Sequence, residues 1–204
     1  MSAAFAERRI DVEGTAIRCL EAGRGATVVV LHGEAGAAPT ALETMLAEKF
    51  RVVALETAGF AAQAPRDAAD LAARAIRTLG VERYSLMGGA TAAAPAVFLG
   101  SDAAAPIDAL VLVSPSGNAR DLEARLGDVK ATTLVLSGTR EKPATAAVAR
   151  MCADRLPDGY FMVVYDAGPA METERPAALY EAVADFLERR GRFVLEREDS
   201  ALTP

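Results

Sequence analysis

Residues 84–99, Tyr84-Ser-Leu-Met-Gly-Gly-Ala-Thr-Ala-Ala-Ala-Pro-Ala-Val-Phe-Leu99, decide the fold. An apolar run short enough to be a buried strand meets two glycines and passes without a linker into an alanine-rich segment of helical character. Such a junction predicts a strand that turns sharply into a helix. The residue at the apex of the turn is Ala90, flanked at two residues on either side by the small Gly88 and Ala92.

The segments on both sides repeat the strand-then-helix alternation. "TVVVLH" (27–32) is a continuous β-branched run, as expected of a strand covered on both faces, and "PTALETMLAEKF" follows with helical spacing. Strands at "RVVAL", "RYSLM", "IDALVLV", "ATTLVLS" and "GYFMVVY" then interleave with helices at "RDAADLAARAIRTLG", from Thr91, at "ATAAVARMCADRL" and at "PAALYEAVADFLERR". This order predicts an α/β fold with a mostly parallel sheet between helices. Ahead of it, "RRIDVEG" and "TAIRCLEAG" alternate around Glu13-Gly14 and predict an antiparallel hairpin at the amino end. Nothing divides the chain, so residues 1–190 are expected to form one domain, with the polar residues 191–204 as a loosely held tail.

Composition narrows the function classes. At 204 residues and 51% hydrophobic content the chain can bury a large core. A net charge of −6 and a pI near 5.0 leave no basic field for nucleic acid or anionic membranes. No apolar run approaches the roughly 18 residues of a membrane span, and the charged amino end is unlike a secretory signal, so a cytoplasmic protein is expected. Cys19 and Cys152 have no paired spacing, which predicts two small buried hydrophobes and no disulfide or cysteine metal site.

Taken in order, these segments resemble the α/β-hydrolase family from about Ile10 to Arg190. "IDVEGTAIRCLEAGRGATVVVLHG" resembles the opening hairpin and His-Gly loop, and "LGVERYSLMGGATAA" the nucleophile elbow. "TTLVLSGTREKP" resembles the strand and loop that carry the acid, and "DAGPAMETERP" the Gly-His loop with its trailing Glu-x-Pro. The resemblance implies a Ser-His-acid triad, and the chain departs from it. The nucleophile position falls on Ala90, the base on Pro169 and the acid on Glu141. A methyl group cannot attack and a proline has no titratable nitrogen. No competent triad, cofactor or metal is therefore expected, and the first reading is a binding or interaction protein, an accessory subunit or a scaffold.

Alternatives stay open at two places. His32, Gly33 and Glu34 fall in the resembled oxyanion loop, where a backbone N–H together with that of Thr91 marks a relic hole. His32, the chain's only histidine, is read as a turn-shaping residue; a rearranged hydrolase site would pair it with Thr91 and Glu34. Ser114 would line the same relic pocket, which could also serve a small-molecule sensor, although its bland role is a turn beside Pro115. Glu56, Glu34 and Glu141 are read as a solvated carboxylate rim, without metal spacing.

The second departure concerns the lid. Only the 18 residues Ser114–Ala131 separate the strands between which the family inserts one, and "ARDLEARLGDV" supplies at most three helical turns. The uncovered top face is expected to expose Phe60, Pro115 and Met171 and to meet a protein partner or a second copy of the chain.

Overall fold

The computed structural model describes residues 4–33, 38–56 and 64–189. Among these residues eight strands form one sheet: β1 (Ala6–Val12), β2 (Thr15–Ala22), β3 (Thr27–His32), β4 (Arg51–Glu56), β5 (Tyr84–Gly89), β6 (Ile107–Val113), β7 (Thr132–Gly138) and β8 (Gly159–Val164). Their order across the sheet is β1-β2-β4-β3-β5-β6-β7-β8. The hairpin β1–β2 is antiparallel and joins β4 antiparallel, while every later pairing is parallel. At its tip Glu13 (φ 54°) and Gly14 (φ 84°) both take the left-handed conformation, the tight two-residue turn that the sequence predicts.

Among the described residues seven helices cover the sheet: α1 (Ala41–Leu46), α2 (Pro65–Thr78), α3 (Ala93–Gly100), α4 (Ala119–Leu126), α5 (Pro143–Arg155), α6 (Met171–Glu174) and α7 (Pro176–Arg189). The period-2 geometry of the strands splits the core. Val29, Leu31, Leu86 and Leu112 pack with α2, α3, α4 and α5, whereas Val28, Val30, Met87 and Val113 pack with α1, α6 and α7. "TVVVLH" is thus buried on both faces, as its composition predicts. In α2, Ala68, Leu71 and Ala75 are buried while Asp67, Asp70 and Arg77 face solvent. Leu179, Val183, Phe186 and Leu187 of α7 are likewise buried, and so are the two free cysteines.

Three expectations need correction. The helix read from "PTALETMLAEKF" spans only Ala41–Leu46, because Thr40 caps it and the chain turns at residues 47–49 to enter β4. The helix expected from Thr91 begins as a single 3-10 turn, Ala90–Ala92, before α3. Pro115 and Met171 are buried instead of exposed on the top face: Met171 opens α6 and is fully enclosed in the core beneath α1 and α7. Phe60, the tail 191–204 and Glu34 lie outside the described residues. Between β6 and β7 the only helix is the eight-residue α4, so no lid-sized insertion is present there. Among the described residues no helix is long and apolar enough to cross a membrane.

Candidate functional site

The strand-to-helix junction is built as a sharp elbow at the carboxyl end of β5. Gly89 is extended (φ −111°, ψ 156°), Ala90 swings to φ 46°, and the 3-10 turn starts at once. A non-glycine residue at such a φ costs about 1–2 kcal/mol, so the neighbours must hold it there. Gly88 allows this: a Cβ on it would lie 2.7 Å from the Ala96 Cβ and 2.8 Å from the Ala92 carbonyl oxygen, so strand and helix approach too closely for any side chain. The Ser116 N–H donates to the Ala90 carbonyl at 3.1 Å and ties the elbow to the loop after β6.

Across from Ala90 runs the loop after β8. Glu174 accepts the Gly168 N–H at 2.8 Å and is itself bridged by Arg140, which fixes the loop's course. Pro169 and Ala170 then face the elbow. They enclose a cleft of about 330 Å³ with His32, Gly33, Glu43, Ala90, Thr91 and Glu172 among its walls. His32, Gly33, Thr91, Ala90 and Pro169 therefore converge as the sequence suggests.

Two predicted residues do not join them. Ser114 (φ 44°) donates its hydroxyl to Glu141, which also accepts from the Ser137 hydroxyl at 2.8 Å, and neither Ser114 nor Glu141 lines the cleft. The pocket role expected of Ser114 is thus corrected to a turn that holds a buried carboxylate. Glu56 pairs with Arg18 at 3.4 Å, and among the described residues no cluster of His, Cys, Asp or Glu has the makings of a metal site.

Two glutamates that the sequence reading passes over supply the cleft's charge. Glu43, at the third position of α1, forms a reciprocal cap with Thr40, accepting its N–H at 3.1 Å. Its other oxygen lies 2.5 Å from His32 Nε2. Burial opposes a charge on the imidazole, but the hydrogen bond and negative charge of Glu43, with Glu172 and Glu56 adding to them, raise its pKa above the usual value. Nε2 is thereby committed to Glu43, and Thr91 makes no side-chain hydrogen bond among the described residues.

Glu172, in the first turn of α6, reaches to within 4.0 Å of where a Cβ on Gly89 would stand. Burial, and then the charge of Glu43, push its carboxyl up to about 7 against the lowering effect of His32. Thr40-x-x-Glu43 is legible as a capping box, but Glu172 carries no local signal: only the loop's folded course brings it to the elbow.

No protein-family model matches the chain, and no curated protein matches it significantly. Solved structures do. A serine hydrolase involved in carbazole degradation superimposes with a TM-score of 0.80 at 18% identity, covering 92% of this chain and 100% of that one. A predicted CIB-like hydrolase from Thermoplasma acidophilum gives 0.78 at 18% over 91% and 98%, and naproxen esterase from Bacillus subtilis 0.74 at 13% over 91% and 92%. The chain has the α/β-hydrolase fold. At these identities the likeness concerns the fold, and function rests on the cleft. On this α/β-hydrolase scaffold the cleft can bind and exchange protons through Glu172 and the His32–Glu43 pair, while its apex bears only a methyl group.

Proposed function

We propose that this α/β-hydrolase-fold protein is a binding protein that holds a small ligand non-covalently in the elbow cleft and carries out no acyl transfer. The observation that carries the reading is the opposition of Ala90, at the apex of a fully built elbow, to Pro169 on the facing loop. Neither can form a covalent intermediate or accept a proton, and a triad acts as a unit. The burial of Pro115 and Met171 supports a ligand in the cleft over a partner on the top face as the first occupant to test. Two free, buried cysteines accord with work in the cytoplasm.

The test is a panel of activated esters and thioesters, run beside a fluorophosphonate probe for reactive hydroxyls. No turnover above buffer and no labelling are expected. Saturable hydrolysis that survives repurification would overturn the reading.

One observation favours a second reading, a hydrolase with a displaced proton carrier. Glu172 sits at the elbow with a carboxyl that titrates near neutrality, as a general base requires. In that case Glu172 takes a proton from water, the resulting hydroxide adds to an ester carbonyl, the tetrahedral adduct collapses by breaking its bond to the alkoxy oxygen, and Glu172 returns the proton to the departing alkoxide. Glu172→Gln would then abolish turnover. The pair Thr91 and His32, with Glu34, is less favoured as a catalytic set, because Glu43 holds His32 toward its cationic form, a poor proton acceptor.

A further inference from the structure

Two strands border the sheet, β1 on one side and β8 on the other, and among the described residues no strand lies outside either. An edge of this kind carries a row of N–H and C=O groups without ladder partners, and charged side chains commonly guard it against pairing with another chain. β1 is guarded: Glu7, Arg8, Arg9 and Asp11 put four charges into its seven residues. β8 and the residue after it, Gly-Tyr-Phe-Met-Val-Val-Tyr (159–165), carry none. Val163, 51% exposed, and Tyr165, 79% exposed, are the large hydrophobic residues that lie open to solvent among the described residues, and both belong to this edge.

The bonds to β7 fix which backbone groups of β8 look outward. The carbonyls of Asp158 and Val164 accept the N–H groups of Thr133 at 2.9 Å and Thr139 at 3.1 Å. Even-numbered residues therefore face β7, and the N–H and C=O of Gly159, Phe161 and Val163 point away from the sheet. The Phe161 side chain stands on the α5 face, where Arg150 lies over its ring at 4.1 Å, and Val163 shares that face by alternation. Tyr160 and Met162 pack on the α7 face.

Such a row accepts a strand, and three sources of one can be compared. A strand reached from α7 is disfavoured by handedness. α7 lies on the α1 face, where the right-handed step, β3-α1-β4, runs toward β1, so a parallel strand laid outside β8 by way of that face would be a left-handed crossover, about 2% of cases. The β1 edge of a second copy brings its four charges, and pairing unlike edges head to tail continues into an open filament. The β8 edge of a second copy meets neither objection. Antiparallel pairing about a two-fold axis at Met162 sets the whole stretch 159–165 against itself, with Phe161 opposite Val163 and Gly159 opposite Tyr165. The Phe161–Val163 pair uses the outward groups of both residues and joins an aromatic to a β-branched side chain on one face. At each end Asp158 comes near Asp166, where Arg140 and Arg175, at 3.1 and 3.6 Å from the Asp166 carboxylate, offset the repulsion.

We propose that the free edge of β8 is a self-association surface, at which two copies of the chain pair antiparallel through residues 159–165 into one continuous sheet. An edge of seven residues is small for an interface, so the dimer is weak, with a dissociation constant on the order of 10 μM. Residues 159–165 do not line the elbow cleft, so the fate of the cleft reading does not decide this one.

The test is sedimentation equilibrium of the full chain, well below and well above that concentration, with amide hydrogen exchange followed at both ends of the range. A monomer that becomes a dimer is expected, and on dimerisation the Phe161 and Val163 N–H groups should exchange more slowly while those of β1 stay unchanged. Val163→Lys sets like charges beside the two-fold axis and should weaken the dimer about tenfold or more; at so exposed a position the monomer should keep its melting temperature. Deleting residues 191–204 should leave association unchanged. A monomer throughout, a dimer without added protection at Phe161 and Val163, undiminished association of Val163→Lys, or a shortened chain that dimerises where the full chain does not would each overturn the proposal.

Discussion

His32 and Glu43, eleven residues apart, meet at 2.5 Å behind the elbow cleft and bind the end of β3 to the first turn of α1. Glu43 is 1% exposed and divides its oxygens between the imidazole and the Thr40 N–H. One carboxylate thus caps a helix and sets the charge of the chain's only histidine.

Replacing Glu43 by Gln keeps the shape and removes the charge. The buried imidazole then loses the hydrogen bond and charge that, together with Glu172 and Glu56, outweigh its desolvation, so its pKa should fall from its raised value. A single histidine gives a single set of ring resonances, and NMR titration reads the shift directly. Because the folded pKa of His32 is raised, its contribution to stability is present in full below the unfolded value and fades as pH rises through the folded one. Glu43→Gln should therefore cost most near pH 5, about 3 kcal/mol, and less at pH 8, as measured by urea denaturation.

Glu172 carries the opposite lesson for a carboxyl. Its folded pKa of about 7 exceeds the unfolded value near 4.5, so the native state holds a proton that the unfolded chain has released. Stability should decline as pH rises from 4.5 to 7, by on the order of 2–3 kcal/mol. Glu172→Gln removes that slope. The variant should match wild type at pH 4.5 and melt at a higher temperature at pH 8.

The elbow itself is strained where it need not be. Ala90→Gly relieves the positive φ and should stabilise the protein by about 1 kcal/mol, net of glycine's greater freedom when unfolded. Gly88→Ala has the opposite sign, since its Cβ would press on Ala96 and on the Ala92 carbonyl. A loss of about 1–3 kcal/mol is expected. Calorimetric melts of the two variants would distinguish an elbow held by packing from one that tolerates either residue.

Much of this was legible because the signals are local. The β-branched strands, the Glu13-Gly14 turn and the small residues around Ala90 report their own geometry, and the sheet follows from their order. What eluded the sequence depends on how loops return. Met171 reads as an exposed apolar residue until α6 folds it under α1 and α7, and the same short helix turns Glu172 toward Gly89. Glu141 is expected from the resemblance to be an acid beside the cleft, but Ser114 and Ser137 claim its oxygens, an arrangement that requires the ends of β6 and β7 to lie side by side.

That last arrangement sets what a serine at position 90 and a histidine at position 169 would achieve. Ala90→Ser places a hydroxyl on an elbow already bent to receive it, yet Pro169 offers it no base, so the single variant should neither turn over esters nor react with a fluorophosphonate. Adding Pro169→His supplies an imidazole on the facing wall of the cleft. Its orientation depends on Glu141, whose oxygens are occupied, so the double variant should label slowly, about tenfold or more above the single one, with little turnover. Ser114→Ala in that background releases one Glu141 oxygen toward the loop, which lies close by through the Arg140 N–H bond to the Ala167 carbonyl at 2.8 Å. Labelling should quicken further in the triple variant. A double variant as inert as Ala90→Ser alone would show that the loop after β8 no longer presents position 169 to the apex, whatever side chain stands there.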